Sequence, residues 1–155
     1  MARAVATDVE RAGSDIGPFN AAHPFGAACK AVSDAGILLV VAAGNEGQNI
    51  SSPSSYPGQR PYPASFAFDN MMTVGSIGNN GNLSSFSNYG PEWVQLAAPG
   101  ESVPSTPRGG GYGYMSGTSM ATPHVAGAAQ LLFSLSPGIS AGEMKSRILA
   151  NANMS

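Results

Sequence analysis

The tightest constraint on this sequence is the run Ile37-Leu-Leu-Val-Val-Ala-Ala43, aliphatic or small throughout and bounded by Gly36 and Gly44. A strand with one wet face alternates apolar and polar residues. An unbroken run is what an interior strand of a parallel sheet needs, because helices cover both of its faces. The run is far short of the ~20 residues that would span a bilayer. The segment ahead of it, Pro24 to Ala35, has helical spacing, with Phe25, Ala28, Cys29 and Val32 on one face and Gly36 where a C-terminal cap belongs. Helix followed directly by strand is half of an α/β unit, so the expected fold class is α/β with a parallel sheet.

Further elements follow in order. Gly44 to Pro63 is a polar loop rich in Ser, Gly and Pro. Met71–Ile77 reads as a second strand and Trp93–Ala97 as a third, with the turn Gly78-Asn-Asn-Gly-Asn82 between them. Pro99-Gly100 ends the third strand, and Arg108 to Gly113 reads as a glycine-rich link. A second helix, roughly Ser119 to Ser134, has small residues on every side (Ala121, Ala126, Gly127, Ala128, Ala129), the pattern of a helix buried all round. Pro123 is placed in its first turn, where a missing N–H is tolerated. A last helix opens on the capping box Ser140-Ala-Gly-Glu143 and presents Met144, Ile148 and Leu149 on one side. Residues 1–22 show no periodicity and read as irregular, leaving 23–155 as one domain without repeats.

Charge matters next. Only 10% of the 155 residues are charged against 43% hydrophobic, where soluble domains carry about 25% charge. So little charge suits a chain that lies partly inside something larger. A net charge of -2 is too small to imply nucleic acid, a membrane surface or a strongly charged partner, and none is expected. The N-terminal stretch has no apolar core of the kind a signal peptide carries. Cys29 is the sole cysteine, so it reads either as a small buried hydrophobe or as a reactive thiol. Asn-x-Ser sequons begin at Asn49, Asn82 and Asn153.

Two stretches carry chemistry. Gly117-Thr-Ser119-Met-Ala-Thr-Pro-His-Val-Ala-Gly127 places a serine at the start of a helix, where unpaired N–H groups and the helix dipole favour negative charge. On geometry alone that serine is an N-cap or a nucleophile. Val40-Val-Ala-Ala-Gly44-Asn45-Glu-Gly47 ends a strand in what would otherwise be a plain turn. Together the two resemble the subtilisin-like serine peptidases (subtilases). Gly117–Gly127 is similar to that family's serine signature, and Val40–Gly47 to its strand end that carries the oxyanion-hole asparagine. Ser84–Gly90, Leu96–Gly100 and Tyr114–Gly117 are similar to the stretches between them. An unrelated hydrolase with a nucleophile elbow at Gly117-x-Ser-x-Ala121 fits the flanking residues less well.

The resemblance runs from about Phe25 to Leu149 and implies a subtilisin-like fold and a serine endopeptidase acting on proteins or peptides. It makes Ser119 the nucleophile and Asn45 the oxyanion-hole donor, with Ala42, Ala43 and Gly44 along one side of the substrate pocket. It further implies a calcium or monovalent cation on backbone carbonyls near Ala64 and Phe66, and a parent protein of a usually secreted family. The family's Asp-Ser/Thr-Gly and His-Gly-Thr-His motifs do not occur in these 155 residues. Asp15-Ile-Gly17 comes nearest but lies only 30 residues ahead of Asn45, and His23 sits in an unrelated context. His124, about one and a half turns beyond Ser119, reads as a packed structural histidine. The expected fold is therefore incomplete, with the N-terminal half of the domain absent and needed as a partner. The expected activity of the chain alone is nil, and the alternative is an interaction module or pseudoprotease.

Overall fold

The computed structural model describes residues 24–51, 61–66 and 68–152. The sequence expectations for residues 1–22, for His23 and for the sequon at Asn153 lie outside them. Helix α1 (Pro24–Asp34) is followed by strands β1 (Leu39–Ala42), β2 (Met71–Ile77) and β3 (Leu96–Pro99). A hairpin of β4 (Val103–Ser105) and β5 (Gly113–Met115) comes next, and then helices α2 (Thr118–Leu135) and α3 (Ala141–Ala150). The three long strands form a parallel sheet in the order β1-β2-β3, with Leu39 opposite Met71 and Val74 opposite Leu96. The α/β class and the parallel sheet are as the aliphatic run requires.

Side chains of β2 alternate between two apolar layers. Met71 points into a cluster with Cys29, Val41, Phe66 and Phe68, on the α1 side. Met72 and Val74 point into the opposite cluster, with Ala98, Ala121 and Val125, on the α2 side. Helix α1 ends as its glycine demands. Gly36 takes φ +74° and donates to the Ser33 carbonyl at 2.9 Å, while Ile37 reaches back to Val32 at 3.3 Å. Its buried stripe is Gly26, Cys29 and Ser33, rotated from the expected Phe25, Ala28, Cys29 and Val32. Phe25 lies at the rim and meets Phe66 at 6.1 Å between ring centres. At the far end of the chain Ser140 caps α3 by accepting from the Glu143 N–H at 3.2 Å, while the Glu143 carboxylate pairs with Arg147.

Several sequence expectations are corrected. The third strand is Leu96–Pro99 and not Trp93–Ala97. Trp93 and Val94 both donate to the Gly90 carbonyl in a turn, because the indole packs on Ile50 and Ala64 beneath. The Gln95 side chain then accepts from Thr73 N at 2.6 Å and stands in for a ladder bond. The glycine-rich link is the tip of the β4–β5 hairpin, which no hydrophobic pattern announced. Pro123 lies inside α2, past its first turn, and has no N–H to return to the Ser119 carbonyl.

The largest correction concerns α2. It is not buried all round: Thr118, Ala121, Val125 and Ala129 face the sheet, while Ala126, Ala128, Leu131 and Leu135 are exposed. Likewise β1 is an edge strand among the described residues, and Ile37 is 55% exposed. The composition asks for more cover than the described residues supply. This asymmetry is measurable. Met72→Ala, at a fully buried position, is expected to cost about 2–5 kcal/mol of stability. Leu131→Ser, on the exposed face of α2, is expected to change it by less than ~0.5 kcal/mol. Urea denaturation of both variants decides which face of α2 this chain buries.

Candidate active site

The loop that follows β1 and the start of α2 meet at the C-terminal ends of the parallel strands, where α/β folds place their ligand sites. Gly44 turns the chain there at φ +101°, with the Asn88 amide lying where a Cβ would project, so only glycine fits without displacing it. The next residue, Asn45, is exposed. Its Oδ1 accepts from both the backbone N–H of Thr118, at 2.8 Å, and the Thr118 hydroxyl, at 3.0 Å. The same hydroxyl oxygen accepts from Gly44 N–H at 3.2 Å. The carbonyl end of the Asn45 amide is thus held twice, and no described residue takes its Nδ2 hydrogens. Nδ2 lies 3.6 Å from the point a Cβ on Gly117 would occupy, an ordinary van der Waals distance.

Ser119 follows directly. The helix cap is Gly117, with no side-chain cap bond, and Ser119 is the second residue of the helix. Its hydroxyl is not serving as the N-cap. The side chain is exposed, and the first-turn position leaves its own N–H without a helical acceptor. The pinned Asn45 amide is thus bonded to Thr118, the neighbour of an exposed serine at the positive end of the α2 dipole. Such a set can stabilise negative charge developing on a carbonyl oxygen.

The other named positions are also placed. Ala43 is fully buried, its N–H on the Val74 carbonyl and its carbonyl on Asn88 Nδ2. Because Leu39 and Ala43 both donate toward β2, strand alternation turns the backbone groups of Val40 and Ala42 to the open edge. A groove of about 370 Å³ runs beside that edge, between Ile37, Leu38, Ala126, Phe133 and Met144. Asn88 and Thr118 escaped sequence reasoning as site residues. Asn88, fully buried, accepts from Glu46 N–H and Gln48 N–H and donates to the Glu46 carboxylate, so it fixes the whole turn around Asn45. A Ser-Asn pair in a polar loop carries no pattern that would show this.

Ala64 and Phe66 lie on the other side of the sheet. The Ala64 carbonyl accepts the Thr73 hydroxyl at 3.1 Å, which leaves one lone pair. Neutral carbonyls of this kind fit a weakly held cation only, and among the described residues no His, Cys, Asp or Glu cluster could hold a metal ion. His124 is exposed, not packed as expected, and its Nδ1 donates to the Met120 carbonyl at 2.9 Å. Cys29 is buried and burial pushes its thiol up, which disfavours the thiolate and agrees with the reading as a small hydrophobe. No helix among the described residues is long and apolar enough to cross a membrane.

Known proteins share these segments. The sequence model of the subtilase family matches residues 12–155. The chain is 44% identical over 117 residues to a thermostable alkaline protease of Halalkalibacterium halodurans, covering 75% of this chain and 29% of that protein. It is 42% identical over 117 residues to subtilisin DY of Bacillus licheniformis, covering 76% of this chain and 40% of that one. A solved cold-adapted subtilisin-like serine proteinase superposes with a TM-score of 0.71 at 34% identity, over 81% of this chain and 42% of its own. The chain thus spans less than half the length of these relatives.

Thr118→Val tests the clamp. It keeps the shape and removes the hydroxyl, so Gly44 N–H loses its acceptor and Asn45 one of two donors. The expected cost is about 1–3 kcal/mol, with faster hydrogen exchange at the Gly44 amide than in the parent. Unchanged exchange there would show that the hydroxyl does not hold the turn.

Proposed function

Because this chain belongs to the subtilase family, we propose that it carries the nucleophile and two oxyanion donors of a serine endopeptidase that hydrolyses protein or peptide substrates. The observation that carries this reading is the pair of hydrogen bonds from Thr118, the neighbour of the exposed Ser119, to Asn45 Oδ1 (one N–H and one hydroxyl on a single oxygen), which commits the amide's acceptor end and leaves its donor end unused among the described residues. In the proposed reaction Ser119 Oγ attacks the scissile carbonyl and its proton passes to a base. The carbonyl oxygen becomes an oxyanion, held by Asn45 Nδ2–H and Ser119 N–H. Collapse breaks the C–N bond as the base hands its proton to the leaving amine, and the acyl-enzyme left on Ser119 is then hydrolysed by water. Ala42 and Gly44 form one wall for the substrate side chain, backed by the fully buried Ala43, and the outward backbone of Ala42 is available to a peptide.

The base and its orienting acid are not among these 155 residues in recognisable form. His124 spends its Nδ1–H on its own helix. On this reading a segment bearing the Asp and His motifs packs against the open edge of β1 and the exposed side of α2. The 155 residues alone are then inactive. Loss of the base alone lowers turnover by about 10⁶ in subtilisin, a member of this same family.

A fluorescent fluorophosphonate, which labels only an activated serine, tests this. Residues 1–155 alone are expected to stay unlabelled, and to label at Ser119 when the upstream segment of a relative is supplied. Ser119→Ala should abolish that labelling, and Asn45→Ala should lower turnover of the complemented protein about 10²–10³-fold, again a magnitude from the family itself. Labelling of the chain alone would sink the incomplete-site reading. No labelling even after complementation would favour a pseudoprotease.

The same reading includes a calcium or monovalent cation on the Ala64 and Phe66 carbonyls, with a structural role on the face away from Ser119. A rise in Tm with millimolar CaCl₂ or KCl beyond that of a matched choline chloride series is expected. No difference from that series would remove the cation.

A further inference from the structure

The β4–β5 hairpin stands apart from both apolar layers. Every residue from Pro104 to Tyr112 is exposed. Gly109, Gly110 and Gly111 all have positive φ, and a Cβ added to any of them would meet nothing within 4 Å. The hairpin is closed by only the pairs Val103–Met115, Pro104–Tyr114 and Ser105–Gly113. At its tip, just ahead of the glycines, is Arg108. The other described cations, Lys30, Lys145 and Arg147, all lie within helices. A protease needs an extended, accessible stretch on both sides of the bond it cuts, and exposed loop tips of small residues supply it at least cost.

The chain on either side is held without the tip. Gly117 N–H donates to the Gly100 carbonyl at 2.8 Å, and Ser102 N–H to Ser116 Oγ at 2.9 Å, stapling the hairpin at its base. Below it Thr118 binds Asn45, and Ala121 and Val125 pack on Met72, Val74 and Ala98. All of these contacts join residues before Arg108 to residues after it.

We propose that Arg108–Gly109 is a processing site for an arginine-directed endopeptidase, and that the product is a two-piece protein whose parts stay together. Water adds across the amide: the C–N bond breaks, Arg108 ends as a carboxylate and Gly109 keeps the nitrogen as an amine. The cut leaves Asn45 on one piece and Ser119 on the other, joined by the α2–sheet layer and the hairpin base. It is independent of whether Ser119 is a nucleophile.

Limited digestion of residues 1–155 with trypsin under native conditions, followed by intact mass measurement, tests both halves of the proposal. The junction 108/109 is expected to open at least tenfold faster than the bonds after Lys30, Lys145 and Arg147, whatever trimming occurs nearer the N-terminus. The two pieces should co-elute in gel filtration and separate only in urea. Arg108→Gln should lose that cut alone. Comparable rates at the helical sites, survival of the cut in Arg108→Gln, or separate elution of the pieces without urea would each overturn it.

Discussion

The structure turns on the contact between Thr118 and Asn45, two residues 73 positions apart. One backbone N–H and one hydroxyl converge on a single amide oxygen, and the hydroxyl passes the constraint on to Gly44. An asparagine on an exposed turn would otherwise sample several rotamers. Here its acceptor end is committed, so its donor end has one direction left to point. The first helical N–H of α2, an orphan in any helix, is satisfied in the same stroke. Helix start and strand end therefore define each other, and neither would be ordered in this way alone.

That contact depends in turn on the sheet. α2 reaches the Asn45 turn because Ala121 and Val125 seat on Met72, Val74 and Ala98, and small side chains at the contact allow close approach of helix to strand. The turn is held from the other direction by Asn88, whose buried amide collects the Ala43 carbonyl and the N–H groups of Glu46 and Gln48. A buried amide with all these bonds made is worth keeping, whereas one left unpaired would cost about 1–3 kcal/mol. The polar scaffolding thus concentrates at the strand ends, where the candidate chemistry lies, and the apolar layers sit below it.

What the sequence made legible follows the strength of local signals. β2 is found at Met71–Ile77 as read, and α1 ends where Gly36 and its left-handed backbone require. Ser119 and Asn45 stood out through their motifs, and the fold brings the two segments together through Thr118. The failures have one cause: burial imposed by tertiary neighbours is not written in local periodicity. Trp93 looked like strand because it is aromatic among apolar residues, yet its indole is claimed by Ile50 and Ala64. The hairpin around Arg108 has no alternation to announce it, since its side chains touch almost nothing. Asn88 and Thr118 are ordinary polar residues until the loops they bind are in place.

The burial of α2 is the case in which reading and structure differ most usefully. Its small residues called for cover on every side, and the described residues provide it on one. The uncovered side includes Leu131 at 69% and Leu135 at 83% exposure, beside an open strand edge and Ile37. Burying one leucine is worth about 1.5–3 kcal/mol, and an open edge with apolar flanks invites pairing with another chain. Among the described residues the opposite face of the same sheet is covered by α1 and the aromatics Tyr62, Phe66 and Phe68, and its most exposed large apolar residue is Phe25 at 40%. A chain that seals one face and leaves the other apolar has a surface suited to a partner, and that surface lies on the side of the sheet that carries Ser119. If the acid and base arrive with whatever covers it, completing the core and completing the catalytic group are a single event.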